Sequence, residues 1–399
     1  MMKKTGLITA VIICSVFAVA GQKIKPEACS MDMKTLEKSL DRINAKDEQL
    51  LPAFKQLIND AEKAMKFGPV SVMEKKNLPP SGNKHDYMSL APYHWPDPAK
   101  PDGLPYIRKD GETNPEVKEY KDKEYLPQLC ANVQTLGLAY YFSGDSKYAG
   151  HAAKLLRVWF LDTATRMNPN FNYAQAVKGV NTGRGAGMID SRHLVKVVDA
   201  IGLIRPSKYW SKQDEEEMKK WAAEFLNWMQ TSENGKDELD ADNNHGVWYD
   251  AQRLALALYT GEKEYAKKIV MNAADRLEKQ MDENGNFPKE MARTNSLHYS
   301  TFVMDAFFTI ASMAPKTGVD FWALKTPAGK SLQKAFDALK PYLTKEKEWL
   351  GQQIKAFDFE EGYYLLAVGA KKLKCGNCAE SLKQLAADEF LKLRFNLLY

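Results

Sequence analysis

The chain reads as an all-α protein built of helical hairpins. Three observations predict this. Apolar residues recur at helical spacing through nearly everything after Lys123. A helix, glycine turn, helix unit also repeats: Gly144, Tyr148 and Ala149 match Gly261, Tyr265 and Ala266 at one constant offset. Strand-like alternation is scarce, leaving room for no more than a small sheet. Hairpins of this length close into an (α/α) toroid or barrel, or stack as an open solenoid, and periodicity alone does not choose.

Met1 to Ala20 has the form of a secretory signal: Lys3 and Lys4, an apolar stretch from Leu7, then Ala18-Val19-Ala20 before Gly21. It is too short and too early for a spanning helix, and no later apolar run is long enough to be one. Ile13 precedes Cys14 where a lipoprotein signal wants a small residue. Export to the periplasm or the medium is therefore expected. Removing Lys3 and Lys4 takes the net charge from +5 to 5 − 2 = +3. That mild excess suits a polyanion but lacks the dense basic stripe of nucleic-acid binding. In an exported chain, Cys375-Gly-Asn-Cys378 points to a small surface disulfide rather than half a zinc site, since no second CxxC or paired histidines accompany it.

Residues 21–76 form a helical lead-in, with Leu36, Leu40, Ile43, Leu50, Leu51, Phe54 and Ile58 at roughly helical spacing and a break expected near Pro52. Residues 77–399 make up a single catalytic domain. It opens on a Pro- and Gly-rich segment, 77–116, too irregular for a long helix or central strand. Tyr87, Tyr93, His94 and Trp95 there either line a sugar cleft or pack the loop onto the helical body. Gly144 and Gly261 supply left-handed turns between paired helices, and Glu361 to Lys372 resembles another first half. Gly179 to His193 is glycine-rich, but no strand precedes it, its spacing is not GxGxxG and no Lys-Ser/Thr follows, which argues against a nucleotide site. It reads as a tight loop presenting Arg184 to a carboxylate, with Asp190 or Ser191 capping the next helix.

Two helix entrances hold the candidate chemistry. At Asp242-Asn-Asn-His-Gly-Val-Trp-Tyr249, a polar loop turns into an apolar helix, and unpaired backbone N–H groups there suit an anion. Asn243 and Asn244 as plain caps, and His245 as a satisfied half-buried histidine, form the competing reading. At Glu290-Met-Ala-Arg-Thr-Asn-Ser-Leu-His-Tyr-Ser300, Arg293 precedes a helix that Asn295 or Ser296 can cap. Six positions inside one helix would put Arg293 and Tyr299 off a common face, so their cooperation requires a loop-to-helix bend. The competing reading pairs Arg293 with Glu290 and leaves Tyr299 in the core.

Four stretches in this order, Tyr87 to Pro98, Gly179 to Leu194, Asn243 to Asp250 and Ala292 to Ser300, resemble the alginate-lyase family of polysaccharide lyases, in particular its members assigned to family 38, related to family 5. The resemblance spans about Tyr87 to Tyr342 and implies a helical toroid. It also implies catalytic roles for Asn244, His245, Arg293 and Tyr299. Family 5 lyases hold the Arg and Tyr one residue further apart, so their detailed geometry does not transfer. Substrate contacts are expected from Tyr87, Tyr93, His94, Trp95, Arg184, Trp248 and Glu290, with alginate the first candidate and glucuronan the second.

The implied chemistry explains these residue types. A 4-linked uronate is cleaved by removing the C5 proton and expelling the C4 oxygen, but the adjacent carboxylate resists further negative charge. Asn244, His245, Arg293 and the helix N-terminus can neutralise it, such donors being worth ~3 to 4 kcal/mol each by analogy with oxyanion holes. Tyr299 is the candidate base, with the Arg293 cation expected to favour its phenolate. Mannuronate or glucuronate present the C5 proton and leaving oxygen on one side, where Tyr299 can serve as base and then acid. In guluronate they lie on opposite sides, and His245 becomes the natural base with Tyr299 as acid. The elimination needs no metal or organic cofactor, and a monomer is expected. A hydrolase using acids drawn from Asp190, Asp242, Asp250 and Glu290, or a non-catalytic glycan-binding protein, are the rival readings.

Overall fold

Apolar stripes at helical spacing become helices through most of the chain, in a computed structural model that describes residues 24–399; the signal segment expected over 1–20 lies outside the described residues. The lead-in forms α1 (Met33–Asn44) and α2 (Leu51–Ala64). The expected break falls just before Pro52, which sits in the first turn of α2, where its missing N–H costs nothing. After the irregular segment come α3 (Lys121–Ser143) and α4 (Ser146–Leu156), then α5 (Leu194–Ile204), α6 (Lys212–Thr231), α7 (Glu233–Asp240), α8 (Asn244–Thr260) and α9 (Lys263–Gln280). The chain continues through α10 (Pro288–Met291), α11 (Ser296–Met313), α12 (Leu332–Leu343), α13 (Tyr363–Lys372), α14 (Cys378–Ala386) and α15 (Phe395–Leu398).

The predicted hairpin turns are present. Gly144 (φ 70°) ends α3 and Gly261 (φ 88°) ends α8, each in the left-handed region, with its amide donating to Tyr140 and Ala257 carbonyls respectively. A side chain at either position would strain the turn. Together the helices form an (α/α) toroid. Its most buried element is α5, where every residue except Lys196 is buried; it packs between α3 and α8. α2 packs on α3, and α1 on α15, so the lead-in is built into the helical body.

The few strands are short and lie beside the site. β1 (Met88–Leu90) and β4 (Tyr173–Ala176) pair in parallel, while β2 (His94–Trp95) and β3 (Ile107–Arg108) pair antiparallel. They give the 77–116 segment a fixed course that brings Tyr93, His94 and Arg108 to one cleft. Cys375 and Cys378 form the expected disulfide. Cys29 and Cys130 are free and buried.

Candidate active site

α8 starts where Asn243, in extended conformation, accepts the His245 amide on its side-chain oxygen at 3.1 Å. The anion expected at this entrance is supplied by the chain itself. Glu290 accepts the Asn244 amide on one carboxylate oxygen (2.6 Å) and the Asn244 side-chain Nδ2 on the other (2.8 Å). Desolvation raises the Glu290 pKa above the usual carboxylate range, against those two hydrogen bonds. Glu290, expected to touch substrate, is instead buried and orients Asn244; Asn244 lies one layer behind the cleft wall at 1% exposure.

His245 is held from the side by a residue that sequence reasoning missed. Its Nδ1 lies 2.8 Å from Oε1 of Glu238, a buried carboxylate near the end of α7. A carboxylate on Nδ1 fixes the ring orientation and the tautomer, leaving Nε2 for the cleft.

The second entrance bends as required. The loop turns into α11 between Arg293 and Tyr299, and the Arg293 guanidinium carbon comes to lie 3.6 Å from the centre of the Tyr299 ring. Neither Asn295 nor Ser296 caps α11 with its side chain. The segment 352–355 takes that role: the Gln353 side chain accepts the Leu297 amide at 3.1 Å, and Asn295 accepts the Lys355 amide at 3.1 Å. Arg293 does not pair with Glu290 through its side chain. Its fork grips Asp110 of the irregular segment, Nη2 at 2.6 Å and Nε at 3.0 Å, and Asp110 also accepts from Thr294 and from Arg108. Burial pushes the Asp110 carboxyl upward, but the Arg293 and Thr294 hydrogen bonds outweigh it and hold its pKa well below the ordinary range.

Tyr299 is buried, and its hydroxyl donates to the Tyr93 hydroxyl at 2.9 Å. Burial raises its pKa far above the usual phenol value and Tyr93 adds to the rise, while Arg293 opposes both. Arg293 thus acts in the expected direction, favouring the phenolate, while burial is the larger influence and opposes it.

Tyr93, His94, Arg184, His245, Arg293 and Tyr299 all line one cleft of about 410 Å³, joined by Arg108, Gln175, Asp237 and Glu238. Arg184 is presented by the glycine-rich loop as predicted and donates to the Gln175 side chain at 3.0 Å. Burial, and then the neighbouring Arg184 and Arg108 cations, lower the His94 pKa. Three further expected contacts lie elsewhere. Tyr87 is fully buried, stacked on Phe171 with its hydroxyl on Asp190. Trp95 packs within the loop, its indole N–H donating to the Glu112 carbonyl. Trp248 lies against Phe302 and lines a separate cavity of about 920 Å³.

The four acids named for the hydrolase alternative have other partners. Asp190 caps no helix; it is buried and accepts from Tyr87, Ser89, Lys123 and Gln175. Asp250 is buried between Arg253 and Arg276, Glu290 is held by Asn244, and Asp242 pairs with Lys289 outside the cleft.

On this helical toroid one cleft brings together a carboxylate-steadied imidazole, a guanidinium and a phenol. The alginate lyase family profile matches residues 71–349. The chain belongs to that family and is a polysaccharide lyase. It is similar to an alginate lyase from Bacteroides ovatus, at 40% identity over 94% of this chain and 99% of that one, with a TM-score of 0.88. Alginate lyase A1-III from Sphingomonas species A1 shares the fold at 17% identity, covering 94% and 96% of the two chains with a TM-score of 0.61. A complex of A1-III with a tetrasaccharide aligns at 17% identity over 90% and 91%, with a TM-score of 0.59. Comparison with curated protein sequences returns no match.

Proposed function

We propose that this chain cleaves alginate, a 4-linked polyuronate, by β-elimination in the cleft between the α8 and α11 entrances. The observation that carries the reading is the convergence of His245, Arg293 and Tyr299 on one cleft, with Arg293 stacked on the Tyr299 ring. His245 Nε2 and the Tyr299 hydroxyl are the groups that move protons. Arg293, with Arg184 nearby, offsets the charge that builds on the uronate when C5 loses its proton. Asn244 supports this from behind, its amide set by Glu290.

The division of labour depends on the sugar. Where C5–H and C4–O lie on opposite faces, as in guluronate, His245 takes the proton and Tyr299 gives its own to the leaving oxygen. Where they share a face, as in mannuronate, Tyr299 must first ionise, which requires substrate to displace Tyr93 while Arg293 stays in place. The family resemblance and the disulfide support action outside the cytoplasm, in the periplasm or medium.

The test is incubation with polymannuronate, polyguluronate and glucuronan, following the ultraviolet absorbance of the unsaturated uronate. Tyr299→Phe is expected to lower turnover by about 10²- to 10⁴-fold, the usual worth of a proton-transfer group, while binding persists. Turnover near that of the parent would remove Tyr299 from the mechanism.

A further inference from the structure

A second concave surface lies at the far end of α11. The cleft is at its first turn, at Tyr299; Ser312, in the last turn, lines a groove of about 780 Å³. The two are separated by 13 residues of helix, about 20 Å of axis at the α-helical rise. Cations from three separate parts of the chain meet there: Lys34 and Lys38 one turn apart on α1, Lys316 just beyond α11, and Lys371 and Lys372 at the end of α13. All five are exposed, and among the described residues none has an ion-pair partner; Arg42, also on the wall, is paired with Asp47.

The acids nearby are turned to other tasks. Asp32, the one acidic side chain on the wall among the described residues, caps α1 by accepting the Lys34 amide and the Thr35 hydroxyl. Glu37 and Asp41 of α1 lie on the side of Tyr141, whose phenol they push upward after burial does. Trp322 completes the groove. It is half-buried and set edge-on against Phe308, 5.0 Å between ring centres, so its position is fixed by the core.

We propose that this groove binds a second segment of the anionic polysaccharide, holding the polymer while another stretch of it occupies the cleft. The inference rests on the substrate being a polyuronate. Regularly spaced carboxylates need several cations along a line, and sugar rings need a flat apolar surface, which Trp322 offers. An anionic membrane is the lesser fit. The charge lies in a concavity, and Trp322 is lodged within it rather than projecting as an interfacial anchor would.

The test uses the full chain carrying Lys38→Glu, Lys316→Glu and Lys372→Glu. A control carries the same charge change at the exposed Lys267, Lys268 and Lys279 of α9. Binding is read in the Tyr299→Phe background, by retardation in native gels containing alginate or a neutral polysaccharide and by sedimentation with phosphatidylglycerol vesicles. The groove variant is expected to bind alginate at least about five-fold more weakly than the control, as loss of three exposed charge contacts implies. With Tyr299 intact, KM on long polymer is expected to rise while kcat on a tetrasaccharide stays unchanged.

Equal alginate retardation in groove variant and control overturns the proposal, as does vesicle binding lost with the groove charges while alginate binding survives. Retardation does not depend on turnover. If the parent yields no unsaturated product yet the groove variant loses retardation, the cleft reading fails and the groove stands. If the parent yields product and retardation is unchanged, the cleft reading stands and the groove fails.

Discussion

Asp110→Asn isolates the contact that ties the irregular segment to the entrance of α11. Asp110 meets Arg293 at 2.6 and 3.0 Å, Arg108 at 2.6 Å, and the Thr294 amide and hydroxyl at 3.2 and 3.0 Å. Asparagine keeps the shape but removes the charge and turns an amine toward the guanidinium. Hydrogen bonds to charged groups contribute about 1.5 to 3 kcal/mol each. The two side chains of the pair are 15% and 19% exposed, so solvent screens part of this, and a total of about 2 to 3 kcal/mol is the better figure. With unfolding entropy of about 2.1 cal/mol/K per residue over this chain length, that lowers Tm by about 2 to 4 °C. The sign of the pH dependence follows from the depressed Asp110 pKa. Its stabilisation is fully present above the ordinary aspartate value and is lost as pH falls through the lowered folded value. The Tm gap between parent and variant, read by calorimetry across acid pH, is therefore expected to be widest near neutrality and to narrow below about pH 4. A gap that stays constant into acid, or no gap at pH 7, refutes the assignment of that stability to the Asp110 charge.

Two further substitutions probe the α8 side. Glu238→Gln can still accept from His245 Nδ1 but carries no charge, so kcat is expected to fall about 10- to 100-fold with the Tm of the parent nearly retained; an unchanged kcat would detach Glu238 from the chemistry. In Gly246→Ala the new methyl would run into the Ala241 carbonyl and the Arg276 guanidinium, displacing Arg276 from Asp250 and from the Ala241 and Leu239 carbonyls. Overpacking together with a broken buried pair is expected to cost about 3 kcal/mol or more, and a Tm equal to that of the parent would show that the close approach is relieved cheaply.

The hairpins were legible because their signals are local. An apolar stripe and a glycine lie within a few residues of the structure they cause, and Gly144 and Gly261 end their helices as the repeat predicts. The site was legible in its parts for the same reason: the bend that lays Arg293 over Tyr299 is written in a loop-to-helix change over six positions. What the sequence did not show is which partner each group takes. Asp110 is 183 residues from Arg293, Tyr93 is 206 from Tyr299, and Glu290 is 46 from Asn244. No periodicity links such pairs, and Tyr87, Trp95 and Trp248 could not be placed from sequence because aromatic residues in a loop or helix look alike whether they face a cleft or a core. Glu238 is the exception, a carboxylate seven residues before His245 that helix α7 and its exit turn bring onto the imidazole.

The α8 entrance shows how such long-range choices change the chemistry. A helix N-terminus attracts whichever anion reaches it first, and an internal carboxylate arrives at a far higher effective concentration than any ligand. Glu290 fills that position at 2.6 Å from the Asn244 amide, so the helix end is neutralised before substrate binds. Under the proposed mechanism the uronate carboxylate is then met by side chains that remain on the wall, chiefly Arg293 and Arg184. Of these, Arg293 already shares its fork with Asp110. A guanidinium whose charge is half-answered binds a resting carboxylate weakly, yet still responds when further negative charge develops at C5. That difference between ground state and transition state is what accelerates an elimination, and under the proposed mechanism it makes the contribution of Arg293 depend on Asp110, the loop residue that holds it.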